Sequence, residues 1–227
     1  MSSYVDLTAA DGFVFPAYVA QPAGKPKGAV VVVQEIFGVN SHIRSVADGY
    51  AADGYLAVAP DMFHRLQPGV NLGYTPDDIQ AGVALKAAAE ALGVPTLMQS
   101  LQAAVDYAHQ AGKVGMVGYC WGGLLTWRAA SLVDGLDAAV TYYGGGMTVA
   151  AEVARKPRAP VLSHFGERDH SIVLDSVTNF GLAHPEVDAR LYPADHGFNC
   201  DQRGAYDGPS AALARERSLA FFAQHLA

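Results

Sequence analysis

The stretch Val117-Gly118-Tyr119-Cys120-Trp121-Gly122-Gly123 follows an apolar run, Lys113–Gly118, and opens a segment of helical pattern, Trp121–Val133. A strand that turns directly into a helix, with a glycine two places either side of a nucleophile, is the G-x-nucleophile-x-G elbow. Sulfur stands here where most such turns carry a serine. Gly118 and Gly122 are required because the turn is too tight for side chains beside the nucleophile. The elbow sets the thiol at a helix N-terminus, where the macrodipole and the unpaired amides favour an anion. Both features lower a thiol pKa, and the thiolate is the reactive form. The plainer alternative is a buried cysteine in the glycine-rich turn of an ordinary βαβ unit.

Outward from this turn the chain alternates between two periods. Val5–Ala20 reads as an antiparallel hairpin about the turn Ala10-Asp11-Gly12. Ala29–Val33 is continuously apolar and β-branched, as suits a strand buried on both faces of a parallel sheet. Asn40-Ser41 begins a helix carried by Ile43, Val46, Ala47 and Tyr50, and Leu56–Pro60 is the next strand. Pro76 opens a helix to about Leu92 with Asp77 and Asp78 in its first turn, and Pro95-Thr96 opens another to Ala108. Ala138–Tyr143, Pro160–Phe165 and Ala189–Tyr192 are strands, and Pro209–Leu226 is a closing helix. Strands alternating with helices predict an α/β fold with a mostly parallel, doubly wound sheet. No repeat, low-complexity stretch or linker divides 1–227, so one domain is expected.

Ligands in such sheets bind at the carboxyl ends of strands, so chemistry is sought there. The chain order expected after an elbow is acid, then histidine. Val161–Gly166 leads into Glu167-Arg168-Asp169-His170, and Arg190–Tyr192 leads into Pro193-Ala194-Asp195-His196-Gly197-Phe198. Asp169 is the candidate acid and His196 the candidate base, with Gly197 free to let the loop present the ring. A helix cap for Asp169 and an exposed loop residue for His196 are the alternatives. His164, within a strand, and His170, beside the acid, compete as bases. His42, His64, His109, His184 and His225 read as surface or helix-face residues. An oxyanion hole takes one amide from the residue after the nucleophile, Trp121, and one from the loop after the early strand, at Ile36 or Phe37. Glu35 sits at the end of that buried strand, where a carboxylate costs free energy unless it has a partner. It either makes a structural ion pair or faces the thiol.

Composition narrows the partners. The 227 residues carry a net charge of −7, with 15 scattered Lys and Arg, which excludes nucleic acid as a main partner. Two cysteines, Cys120 and Cys200, are too few for a disulfide framework. The N-terminus lacks the n- and h-regions of a signal peptide, and no run spans a membrane, so a cytoplasmic protein is expected. Histidines and cysteines show no H-x₃-H or C-x₂-C spacing, and no G-x-G-x-x-G or Walker run follows a strand. Neither a metal nor another cofactor is expected.

Six motifs together resemble the dienelactone hydrolase family of α/β-hydrolases. They are Gln34–Gly38, Ala59-Pro60-Asp61, Gly118–Gly123, Tyr142-Tyr143-Gly144, Gly166–Asp169 and His196-Gly197-Phe198, spread in order over most of the chain. The resemblance implies an α/β-hydrolase fold of about eight strands, with Cys120 as nucleophile, His196 as base and Asp169 as its orienter. It implies that Glu35 contacts the resting thiol, that Ile36 and Trp121 amides form the oxyanion hole, and that a carboxylic ester or lactone is cleaved through a thioester. It departs from the family at the substrate carboxylate, which the family holds with two arginines. Thr75–Leu85 has no arginine, Lys86 is the nearby cation, and Cys200 stands four residues after His196, with Arg203 beyond. Arg65, Lys86 and Arg203 are candidate anion contacts or structural ion-pair partners. Among aromatics near these loops (Tyr74, Trp121, Tyr142, Phe198), Tyr142 and Phe198 are the leading pocket candidates. Cys200 is a small loop hydrophobe or a redox partner of Cys120. The expected partner is a small-molecule ester or lactone, and the expected state is a monomer or small homo-oligomer. The competing readings are a non-catalytic binding protein, a redox or stress protein using Cys120 as an oxidisable thiol, and a cysteine peptidase.

Overall fold

The computed structural model describes residues 2–227. Its centre is one eight-stranded sheet in the order β1-β2-β4-β3-β5-β6-β7-β8. The hairpin pairs β1 (Ser2–Thr8) with β2 (Val14–Ala20), Val5 opposite Ala17, and Gly12 supplies the positive φ of 84° in the turn. β2 runs antiparallel to β4 (Leu56–Pro60), and every later pairing is parallel. The apolar run β3 (Ala29–Val33) lies near the middle, between β4 and β5 (Val114–Tyr119). Every residue of β3, β4, β5, β6 (Ala138–Tyr142) and β7 (Val161–Gly166) is buried, as continuous apolar runs require when helices cover both faces. The edge strands β1 and β8 (Asp188–Tyr192) are largely exposed.

The helices start where their caps dictate. Asn40 accepts the Ile43 amide to begin α1 (Ser41–Ala52). Thr75 and Asp78 form a reciprocal capping box, with Pro76 in the first turn, at the start of α2 (Pro76–Ala91). α3 (Val94–Ala108) and α4 (Trp121–Leu132) cover one face with α2 above them. α1 and α7 (Gly208–His225) cover the other, joined by Arg215, which lies 3.8 Å over the Tyr50 ring and bonds Asp53. Among the described residues no single helix is long and apolar enough to cross a membrane.

Two helices were not predicted, α5 (Ala150–Val153) and α6 (Leu174–Ala183). Neither has a side-chain cap, and α6 leaves Leu174 and Leu182 exposed, so no start signal or apolar stripe marks it. Two histidines expected at the surface are buried. His184 bonds the Val153 carbonyl and Glu186, and His42 lies beneath the loop that carries Cys200 and Asp201. Arg65 takes its structural reading, paired with Asp11 at 2.7 Å. A buried network also went unforeseen. Arg128 on α4 bridges Glu90 of α2 and Glu152 of α5, and Glu90 also accepts the Trp121 indole N–H at 2.7 Å.

Candidate active site

The elbow joins β5 to α4. Cys120 has φ 56° and ψ −115°, a strained conformation that the neighbouring packing imposes. A Cβ on Gly118 would sit 1.9 Å from the Gly122 carbonyl oxygen, and one on Gly122 would sit 2.4 Å from that of Val33. Both glycines are therefore steric necessities, as their spacing predicted. The Cys120 carbonyl accepts the amides of Gly123 and Gly145, so the glycine run after β6 props the turn from behind.

Asp169 and His196 arrive at the same sheet end from the loops after β7 and β8. The Asp169 Oδ1 accepts the amides of Ser171 and Ile172, which fixes the carboxylate, and Oδ2 lies 2.7 Å from His196 Nδ1. Nε2 of the ring is left free by this bond, and the Cys120 sulfur acts on the same imidazole. Burial on its own pulls the His196 imidazolium down. The sulfur charge and the Asp169 carboxylate outweigh it and lift the ring to about 10.

His164, the competing base, is excluded by its surroundings. It is fully buried in β7 between the Tyr192 hydroxyl (2.8 Å) and Ser218 Oγ (3.0 Å). Burial and the charges of Arg217 and Arg190 push it down to about 3, so it stays neutral. His170 is exposed, and Asp169 turns to His196 instead.

The strand-end loop at Gln34–Gly38 is clamped from two sides. A Cβ on Gly82 of α2 would sit 2.4 Å from the Ile36 carbonyl oxygen, and one on Gly38 would sit 2.1 Å from that of Val70. The amides of Ile36 and Trp121 donate no hydrogen bond among the described residues, so both are available to a ligand. Glu35 is buried, and its Oε1 lies 3.3 Å from Arg203 Nη1. No thiol contact of Glu35 is present among the described residues, and Arg203 bonds the carboxylate instead. Arg203 reaches across by packing on Gly197, and its guanidinium lies 5.7 Å from the Phe37 ring centroid. Lys86, about one helical turn past Gly82 on α2, has no salt bridge among the described residues.

Tyr142 and Phe198 are fully buried, Tyr142 bonding Ser218 and Phe198 packing on Tyr192 and on Tyr143. The aromatic that faces the site is Tyr143, whose ring centroid is 5.1 Å from that of His196. It stands just past β6 with φ 37°, and burial and then the charge of Glu35 push its phenol well above the ordinary range. The motif Tyr142-Tyr143-Gly144 contained both tyrosines, and its position beside the site singled out Tyr142 without distinguishing its neighbour.

An open mostly parallel sheet, helices on both faces and a strained elbow at the sheet's carboxyl end define an α/β-hydrolase. The dienelactone hydrolase family profile matches residues 15–226, and the chain belongs to that family and with it to the hydrolases. It is 36% identical over 227 residues to carboxymethylenebutenolidases of Pseudomonas putida and Pseudomonas knackmussii, covering 96% of this chain and 95% of each relative. The crystal structure of a protein described as a "putative dienelactone hydrolase" from Klebsiella pneumoniae superposes with TM-score 0.84 at 32% identity, covering 99% of both chains. A Pyrococcus furiosus esterase shares the fold at TM-score 0.74 and 16% identity, with 100% of this chain and 92% of that one covered.

Proposed function

We propose that the chain hydrolyses a small carboxylic ester or lactone through Cys120, His196 and Asp169. The observation that carries this reading is the placement of one half-buried imidazole between the Asp169 carboxylate and the elbow sulfur. Asp169 holds the ring with Nδ1 protonated and Nε2 towards sulfur. The thiolate attacks the carbonyl carbon, and the developing oxyanion takes hydrogen bonds from the amides of Ile36 and Trp121. His196 then gives its Nε2 proton to the departing alkoxide, leaving a thioester on Cys120. Water, deprotonated by His196, attacks that thioester and releases the acid, and the proton returns to the Cys120–His196 pair.

Arg203 supplies the cation nearest the site, and Glu35 neutralises it while no substrate is bound. An acidic substrate competes with Glu35 for this guanidinium. With Lys86 in place of a second arginine, substrates bearing a carboxylate lose one bidentate contact, since an ammonium does not reproduce the guanidinium fork. The whole of 1–227 serves this one catalytic unit, in keeping with its single sheet.

The test is mass spectrometry of the protein quenched during turnover of a p-nitrophenyl ester or a lactone. An acyl adduct on Cys120, absent together with turnover in Cys120→Ala, is the expected result. Turnover that survives Cys120→Ala sinks the assignment. A Cys120–Cys200 disulfide as the working state favours the redox reading instead.

A further inference from the structure

Three buried side chains converge from distant parts of the chain. Glu35 is in the loop two residues past β3, His42 is on the first turn of α1, and Cys200 is in the loop after His196. All three are buried, and one potential ligand atom from each lies within 4.8 Å of the others. We propose that they form a binding site for a borderline divalent cation, with Zn²⁺ and Co²⁺ the best-matched ions. The chemistry of the donors points that way: one thiolate, one imidazole and one carboxylate is a set that zinc takes readily, and that calcium or magnesium does not.

Two orphaned atoms strengthen the case. Glu35 Oε2 and His42 Nε2 are both buried and have no hydrogen-bond partner. Buried polar atoms left unpaired are costly, and a bound cation satisfies both at once. Arg203 does not occupy the position, because its guanidinium engages the other carboxylate oxygen, Oε1.

The surroundings also orient the ligands. His42 Nδ1 lies 3.4 Å from the Asp201 carboxylate, which favours the proton on Nδ1 and leaves the Nε2 lone pair facing inward. A carboxylate behind the imidazole is the usual partner of a metal-bound histidine. The Tyr74 hydroxyl, which accepts the Asn40 side-chain amide at 3.1 Å, is placed to hydrogen-bond the Cys200 sulfur. Ligand atoms at about 2.0–2.3 Å from a tetrahedral zinc lie roughly 3.3–3.8 Å apart, so the three close in by about an ångström. A cleft of about 290 Å³, lined by His42, Ser45, Asp201, Tyr206 and Arg215, opens the histidine side to solvent and offers an entry path. On binding, the Cys200 S–H bond breaks and its proton passes to solvent as sulfur bonds the metal. The fourth position is left for water. The inference needs no role for Glu35 in turnover and so stands apart from the mechanism above.

The experiment titrates the chelator-treated full-length protein with Co²⁺ and follows thiolate-to-cobalt charge transfer in the near ultraviolet. Zinc competition against a coloured chelator then gives the affinity. One equivalent is expected to bind with release of about one proton. Cys200→Ser should abolish the charge-transfer band, and His42→Gln should weaken binding by about a hundredfold or more. Cys120→Ala should retain the band, and circular dichroism checks that each variant is folded. The site is overturned if no cobalt binds, or if the band survives Cys200→Ser and vanishes in Cys120→Ala.

Discussion

His164, fully buried within β7, and His196, half-buried in the loop after β8, belong to neighbouring segments of one sheet, yet their titrations are driven in opposite directions. His164 meets only neutral hydroxyls, from Tyr192 and Ser218, with Arg217 and Arg190 as the nearby charges, and falls to about 3. His196 meets a carboxylate and a sulfur and rises to about 10. Burial disfavours the charged ring in both. What separates a structural histidine from a chemical one is therefore the charge of its partners.

The largest test of this contrast is kinetic. His196→Ala should lower kcat/KM for an ester substrate by about three to four orders of magnitude, whereas His164→Gln should change it only a few-fold. A comparable loss in both, with folding intact, would erase the distinction.

Stability against pH separates them next. A raised histidine stabilises the fold in full below the unfolded value near 6.5, and this contribution is lost as pH rises through about 10. A depressed one acts the other way: the fold is unpenalised above about 6.5 and loses stability as pH falls towards about 3. Urea midpoints should thus fall on both sides of neutrality, each histidine contributing a slope of up to about 1.4 kcal/mol per pH unit. His164→Gln should flatten the acid limb alone, and an unchanged acid limb would refute the assignment.

The smallest effect isolates the sulfur. In Cys120→Ala the His196 ring loses one of its two stabilising partners, so its NMR titration should move down from about 10 while that of His164 stays put. An unmoved His196 would mean that Asp169 alone sets its value.

The elbow was legible from sequence because backbone sterics write it directly: two glycines are demanded by carbonyl oxygens that a Cβ would strike. Asp169 and His196 could be paired from the sequence because each follows a strand end, and their side chains lie 2.7 Å apart in the structure. Tyr143 was not singled out because position beside a motif does not say which of two adjacent side chains faces the imidazole, and its φ of 37° is invisible in the sequence. The Glu35–His42–Cys200 cluster escaped any spacing rule, since its members are brought together only by the loop after β8 folding back over α1. α6 carried no capping side chain to announce it.

The clamp on the Gln34–Gly38 loop has a consequence for rate. Gly82 and Gly38 let carbonyl groups of neighbouring segments come so near that the loop has little room to relax. The amides proposed for the oxyanion are thus fixed in place by packing before any substrate arrives, and on that reading little reorganisation is left for the moment of reaction. That placement is set during folding, by two side chains that are absent.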